Sequence, residues 1–189
     1  VGYDAGLKRT PAGPIVMGSC RFFNVLLGMS LAASVASGIP ALLWYEPSQL
    51  LVAAGIGVYI IGVTWFARSE ATTSQRLPLI LGLVVMAAGI ACLGIFPQYA
   101  KEYGLSRIKP AFLWQIMLLA LFVPIFRRGM NAVIHPSPQR VQAAVKNCIL
   151  SLIMLDAAIS VVVGHHQWGL VILLLLVPTL LLGRWVYST

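Results

Sequence analysis

Six apolar runs, separated by short polar connectors, set the limits on what this chain can fold into. They are Ile15–Trp44, Leu50–Ala67, Leu77–Phe96, Ala111–Phe126, Val141–Val163 and Trp168–Tyr187. A bilayer core about 30 Å thick is crossed by roughly 20 apolar residues of helix, so each run reads as a transmembrane helix. The first has Pro14 before it, suited to the opening turn of a helix. Composition agrees: 59% of residues are hydrophobic and 10% charged, where a soluble domain carries about 25% charged residues. The expectation is an all-α integral membrane protein, a single domain over residues 1–189 built as a bundle of about six spans.

The connectors are "YEPSQ", "ARSEATTSQR", "PQYAKEYGLSRIKPA", "RRGMNAVIHPSPQR" and "GHHQ". Alternating spans put Lys8, Arg9, Arg21, Arg68, Arg76, Arg127, Arg128, Arg140, Lys146 and Arg184 on one side. The other side has Lys101, Arg107 and Lys109. Such an imbalance marks the first side as cytoplasmic. It also explains the formal net charge of +8 without nucleic acid as a partner, since the cations punctuate apolar spans. The partner expected of the surface is the lipid bilayer, with a bacterial inner membrane as the setting. Position 1 is Val and no signal-type segment precedes the first run, so the chain is expected to start within a longer protein, with N-terminal helices missing.

Glycines recur within the spans, as in membrane helices that pack closely. Gly18, Arg21, Val25 and Gly28 form one helical stripe, and Gly55 and Gly62 form another with Tyr59. Cys20, Cys92 and Cys148 lie in or beside apolar runs without CxxC spacing, and read as small membrane residues. Trp44, Tyr45, Trp114, Trp168, Trp185 and Tyr187 fall near span ends, as an interfacial belt does. His165 and His166 are adjacent and so diverge on a helix, which reads as a solvated turn, and His135 reads as loop. No GxSxG, Walker-type or HExxH motif is present in the sequence.

Two polar features within the spans stand out. Arg21 and Asn24, three residues apart, share a helix face with Gly28. A cation and an amide there suit a phosphate-bearing lipid headgroup or a diphosphate; the alternative is an Arg snorkelling to headgroups and an Asn bonding a neighbouring helix. Asp156 is the carboxylate deep inside a span, where it has to be protonated, paired or facing water. At about 100° per residue, Gln142, Ile149, Asp156 and Ser160 make a track along the fifth span, expected to point into the bundle. It serves either as a ligand contact or as a bond between helices.

The pieces "GLKRTPAGPIVMG" and "CRFFNVLLG", the polar loop after "GVTWFAR" and the ending "AVKNCILSLIMLDAA…LLLLVPTLLLGRWVYST" resemble the UbiA superfamily of intramembrane prenyltransferases, in particular its EboC-like branch. The resemblance spans essentially the whole chain. It implies an all-helical bundle around a cavity open to membrane and cytoplasm, and transfer of an isoprenyl group from its diphosphate to an acceptor. It also implies Mg²⁺, held by two aspartate-rich motifs, because carboxylate-bound Mg²⁺ offsets the charge left on a departing diphosphate. The first such motif would precede Val1. The family's Tyr-x-x-x-Lys element corresponds to Tyr3 and Lys8 with one extra residue, while Asp4 and Lys8 have the family's interval. The second aspartate-rich motif falls on "ARSEATTSQR", which offers Glu70 and, four residues on, Ser74.

Taken as a prenyltransferase, the chain is expected to hold the diphosphate with Lys8, Arg9, Arg21, Asn24 and Arg68, to line the cavity with Tyr3, Asp4 and Asp156, and to assist the metal with Glu70. With one carboxylate in place of two, Arg68 and Arg76 are an alternative grip on the diphosphate without metal. Two further expectations stand beside the enzyme. One is a non-catalytic relative that binds or helps export a hydrophobic metabolite; the other is a transporter of unrelated fold with Asp156 as its ionisable midplane group.

Overall fold

The computed structural model describes residues 12–33, 45–68, 76–102, 111–163 and 166–186. Their regular structure is entirely helical: α1 (Gly13–Ala33), α2 (Pro47–Arg68), α3 (Arg76–Glu102), α4 (Ala111–Ile134), α5 (Pro138–Val162), α6 (His166–Leu174) and α7 (Leu176–Val186). Four of them, α2 to α5, are long and apolar enough to cross a bilayer. On that ground the chain is an integral membrane protein.

The helix starts follow from local chemistry. Prolines stand in the first turns of α1, α2, α3 and α5 (Pro14, Pro47, Pro78 and Pro138), where the amide they lack has no partner within the helix anyway. Ahead of α2, the Glu46 amide donates to Gln49 Oε1 at 3.1 Å, while Gln49 and Leu50 donate back to the Glu46 carbonyl. The Gln49 side chain thus supplies one half of a capping box, reaching back from the third helical position to the Glu46 amide.

Helix packing centres on α2 and α3, with α1 laid on α2. Paired glycines set the α2–α3 spacing. A Cβ on Gly55 would stand 3.1 Å from the Gly89 carbonyl, and one on Gly62 would stand 2.8 Å from the Gly82 carbonyl. Seen from α3, a Cβ on Gly82 would lie 3.0 Å from the Gly62 carbonyl and one on Gly89 2.7 Å from that of Gly55. The seven-residue interval on both helices keeps the small residues in one seam, so the backbones touch. Tyr59, between the two α2 glycines, is buried and its hydroxyl donates to the Cys148 carbonyl of α5 at 3.0 Å. Cys148 in turn points its thiol at Met86 Sδ of α3, 3.7 Å away. A phenol, a thiol and a thioether thus join three helices.

Several span ends differ from expectation. The fourth run does not stop at Phe126 but continues through Arg127 and Arg128 to Ile134, because Gly129, Ala132 and Val133 still pack inward. The connector to α5 shrinks to His135–Ser137. The sixth run is broken at Leu175: Pro178 cannot donate to the Leu174 carbonyl, and the chain closes a tighter turn from the Leu175 amide to the Ile172 carbonyl. For the first run, residues 34–44 lie outside the described part.

Trp114 departs most from its expected role. Rather than sitting in an interfacial belt it is fully buried, edge-on to Phe96, and its indole N–H donates to the Leu93 carbonyl of α3 at 2.8 Å. The reason lies four residues downstream of Leu93. Pro97, inside α3, has no amide to give that carbonyl. In hydrocarbon an orphan carbonyl costs several kcal/mol, and the neighbouring helix supplies the donor. Trp168, by contrast, is exposed, in keeping with an interfacial position.

Two outcomes test this packing. Gly62→Ala brings a Cβ to 2.5 Å from the Met86 amide and is expected to lower stability by about 1–3 kcal/mol, read from thermal unfolding in detergent. Trp114→Phe is expected to cost more in the wild-type background than in Pro97→Ala, where the amide restored at position 97 serves the Leu93 carbonyl. Equal losses in both backgrounds would show that the indole bond is not compensating for the proline.

Candidate functional site

The polar centre of the described bundle forms where α1 faces α5. Gly18 places α1 close on α2, since a Cβ there would lie 2.6 Å from the Gly57 carbonyl and closer still to Ile61. Gly57 answers with a would-be Cβ 3.2 Å from both the Gly18 carbonyl and the Phe22 side chain. Arg21, one turn beyond Gly18, is thereby carried to the edge of the α1–α2 contact. It lies eight residues into α1 from Gly13, or about 12 Å along the axis.

On α5 the buried stripe runs through Val141, Ala144, Cys148, Ser151, Leu155 and Val162. Asp156 follows Leu155, about 100° around the helix, and so stands beside that stripe. Arg21 Nη2 donates to Asp156 Oδ2 at 2.6 Å, forming an ion pair between side chains that are 35% and 27% exposed. Apart from this pair the two helices have different main supports: α1 rests on α2, and α5 rests on α4 and α6. Two buried nitrogens, Arg21 Nε and Asn147 Nδ2, have no hydrogen-bond partner among the described residues.

The structure therefore unites two groups that the sequence leaves in separate roles, Arg21 at the diphosphate and Asp156 in the cavity wall. It divides others. Asn24 is exposed on α1, and Gly28 faces open space, so that part of the stripe does not pack. Arg68 closes α2 eleven residues beyond Gly57, so its backbone stands roughly 15 Å along the axis from the level of Arg21. The α5 track is also placed differently from expectation. Gln142 and Ile149 are exposed and Ser160 is half-buried, so the track flanks the packed face of α5, which is occupied by Cys148, Ser151 and Leu155. Tyr3, Asp4, Lys8, Arg9 and Glu70 lie outside the described residues. Among those described, no three His, Cys, Asp or Glu side chains are grouped as a metal site.

A second feature lies between α3 and α4. Ala87, Ala91 and Gly94 from one helix, with Gln115, Leu119 and Phe122 from the other, line an open, mainly apolar groove of about 330 Å³. Its small α3 residues leave room beside the larger α4 side chains.

No family model, curated protein or solved structure matches the chain.

Chemically, the Arg21–Asp156 pair is neutral as a unit but keeps unused hydrogen-bonding capacity on the guanidinium. One clue to it was available in the sequence. A lone carboxylate within α5 and a lone cation within the apolar part of α1 each need a partner in the bilayer, and each is the other's simplest solution. The pair is neither exposed, where it would be worth up to about 1 kcal/mol, nor deeply buried, where losing one partner costs about 3–5 kcal/mol. Arg21→Gln or Asp156→Asn alone is therefore expected to cost about 1–3 kcal/mol, and the double variant less than the sum of the two. Additive losses in a double-mutant cycle of thermal unfolding would show that the two side chains do not interact.

Proposed function

We propose that this protein is a membrane prenyltransferase of the UbiA kind, which takes an isoprenyl diphosphate from the bilayer and passes its isoprenyl group to an acceptor. The observation that carries the reading is the Arg21–Asp156 pair. A charged pair in a partly desolvated place among apolar helices adds little net stability compared with apolar packing. Ionisable groups within membrane helices go with the handling of a charged or polar ligand. The resemblance of "CRFFNVLLG", which contains Arg21 and Asn24, supplies the ligand class. The groove between α3 and α4 supports it, since an isoprenyl tail needs an apolar bed.

In this reading Arg21 and Asn24 bind the phosphate oxygens, together with Lys8 and Arg9 from the preceding segment. Arg68 serves the cytoplasmic approach. Mg²⁺, with Glu70 among its ligands, would offset the charge on the diphosphate when bound. The bond from the isoprenyl C1 to the diphosphate oxygen breaks and the diphosphate leaves with the electron pair. The acceptor then bonds to C1 and gives up a proton. The ends bearing Arg68, Arg76, Arg127, Arg128 and Arg140 face the cytoplasm, in a bacterial inner membrane.

A second reading is favoured by two observations. Asp156 already neutralises Arg21, and Ser74 stands where the second carboxylate of the metal motif would be. There the same scaffold binds or helps export a hydrophobic metabolite without chemistry.

The test is incubation of the purified protein in nanodiscs with labelled geranylgeranyl diphosphate and a panel of aromatic acceptors, with and without Mg²⁺. The expected result is Mg²⁺-dependent diphosphate release that falls about tenfold or more in Arg21→Ala, the loss of a charge-assisted contact. Saturable retention of the label without diphosphate release would select the second reading. Absence of saturable binding would reject both.

A further inference from the structure

We propose that Asp156 is a specificity-determining counter-ion: it keeps the singly charged headgroups of bulk phospholipid off Arg21 and yields to a lipid bearing the higher charge of a diphosphate. The inference rests on the reading of Arg21 as a diphosphate-binding residue.

Arg21 is about a third exposed. In a bilayer a guanidinium so placed attracts lipid phosphates, and phosphodiester headgroups far outnumber any isoprenyl diphosphate. An uncovered Arg21 would be occupied by the wrong lipid. Asp156 prevents this from within the chain, its Oδ2 lying 2.6 Å from Nη2.

The contact is also made to be exchanged. It is a single hydrogen bond, Nη2 to Oδ2, not the two-point fork that Arg and carboxylate form when they hold each other most firmly. Nε is left buried and without a partner among the described residues. A ligand with several phosphate oxygens can take up more than one guanidinium donor at once, which the carboxylate does not do.

Charge then decides which lipids succeed. Releasing Asp156 has a fixed cost, the loss of its bond and charge partner in a partly desolvated place. The attraction regained scales with the ligand's charge, because Arg21 is nearer the ligand than the displaced carboxylate. A singly charged phosphodiester replaces one anion with another and does not recover the cost. A diphosphate brings several charges and more oxygens, and does. Asp156 therefore sets a threshold; it discriminates by opposing the competitor, not by contacting the correct ligand.

The experiment compares wild type, Asp156→Asn and Asp156→Glu in detergent, with thermal unfolding recorded for each. One arm measures direct binding of fluorescent phosphatidylglycerol, with phosphatidylcholine as the neutral control. The other measures binding of labelled geranylgeranyl diphosphate, competed by phosphatidylglycerol or by inorganic diphosphate. Wild type and Asp156→Glu are expected to bind phosphatidylglycerol no better than phosphatidylcholine. Asp156→Asn is expected to bind it about tenfold better, the gain from freeing one cation, and to lose it again when combined with Arg21→Gln. Competition by inorganic diphosphate without a tail separates the headgroup's share of binding from the tail's. If Asp156→Asn does not fold, Asp156→Ser removes the same charge and carries the same expectation. Equal phosphatidylglycerol binding in wild type and the neutral variants overturns the proposal. If geranylgeranyl diphosphate fails to bind wild type, the diphosphate reading falls, while the phosphatidylglycerol arm still decides whether Asp156 excludes singly charged lipids.

Discussion

Close backbone contact between α2 and α3, at Gly55 opposite Gly89 and Gly62 opposite Gly82, is the constraint on which the rest of the bundle depends. In a bilayer, apolar side chains gain little by leaving lipid for protein, so helices must hold together by fit. Two helices that touch along their backbones give a firm pair on which others can be laid. Gly18 and Gly57 repeat the device to seat α1 on α2. Tyr59, fixed by the glycines on either side of it, reaches across to bond α5. The positions of Arg21 on α1 and Asp156 on α5 thus both trace back to α2.

That arrangement gives the ion pair its character. Among the described residues, α1 and α5 are joined by an ion pair strong enough to form and limited enough to open. A fully buried fork would be a structural fixture; a fully exposed pair would be lost among headgroups. The intermediate burial of Arg21 and Asp156 keeps the charge accessible while it is neutralised. Under the proposed reading, a lipid diphosphate binds by taking the place of Asp156 at Arg21.

Much of the fold was legible in the sequence, because apolar length is a strong signal. The second to fifth runs became long helices, and the Gly55–Gly62 stripe with Tyr59 became the α2 face that meets α3. Helix ends were less legible. Arg127 and Arg128 suggested that the fourth run had stopped, yet packing of Gly129, Ala132 and Val133 carries the helix on to Ile134. Pro97 and Trp114, seventeen residues apart, give no local sign that one repairs the other. The site was half legible. Arg21 and Asp156 each stood out as charges in apolar surroundings, but their pairing depends on how α1 and α5 sit around α2, which no local spacing encodes. The outward placement of Gln142 and Ile149 was missed for a related reason: a polar stripe on a helix does not say which neighbour it faces.

The indole bond from Trp114 to the Leu93 carbonyl has a consequence for how such a chain can vary. Pro97 creates a vacancy in one helix that a residue of the next must fill, so the two positions are not free to drift independently. A lineage that exchanged the proline for a residue with an amide would release the tryptophan from its post, and smaller or greasier side chains could follow there. A lineage that lost the tryptophan first would pass through a less stable intermediate. Substitution order at these two sites should therefore be directional, proline before tryptophan.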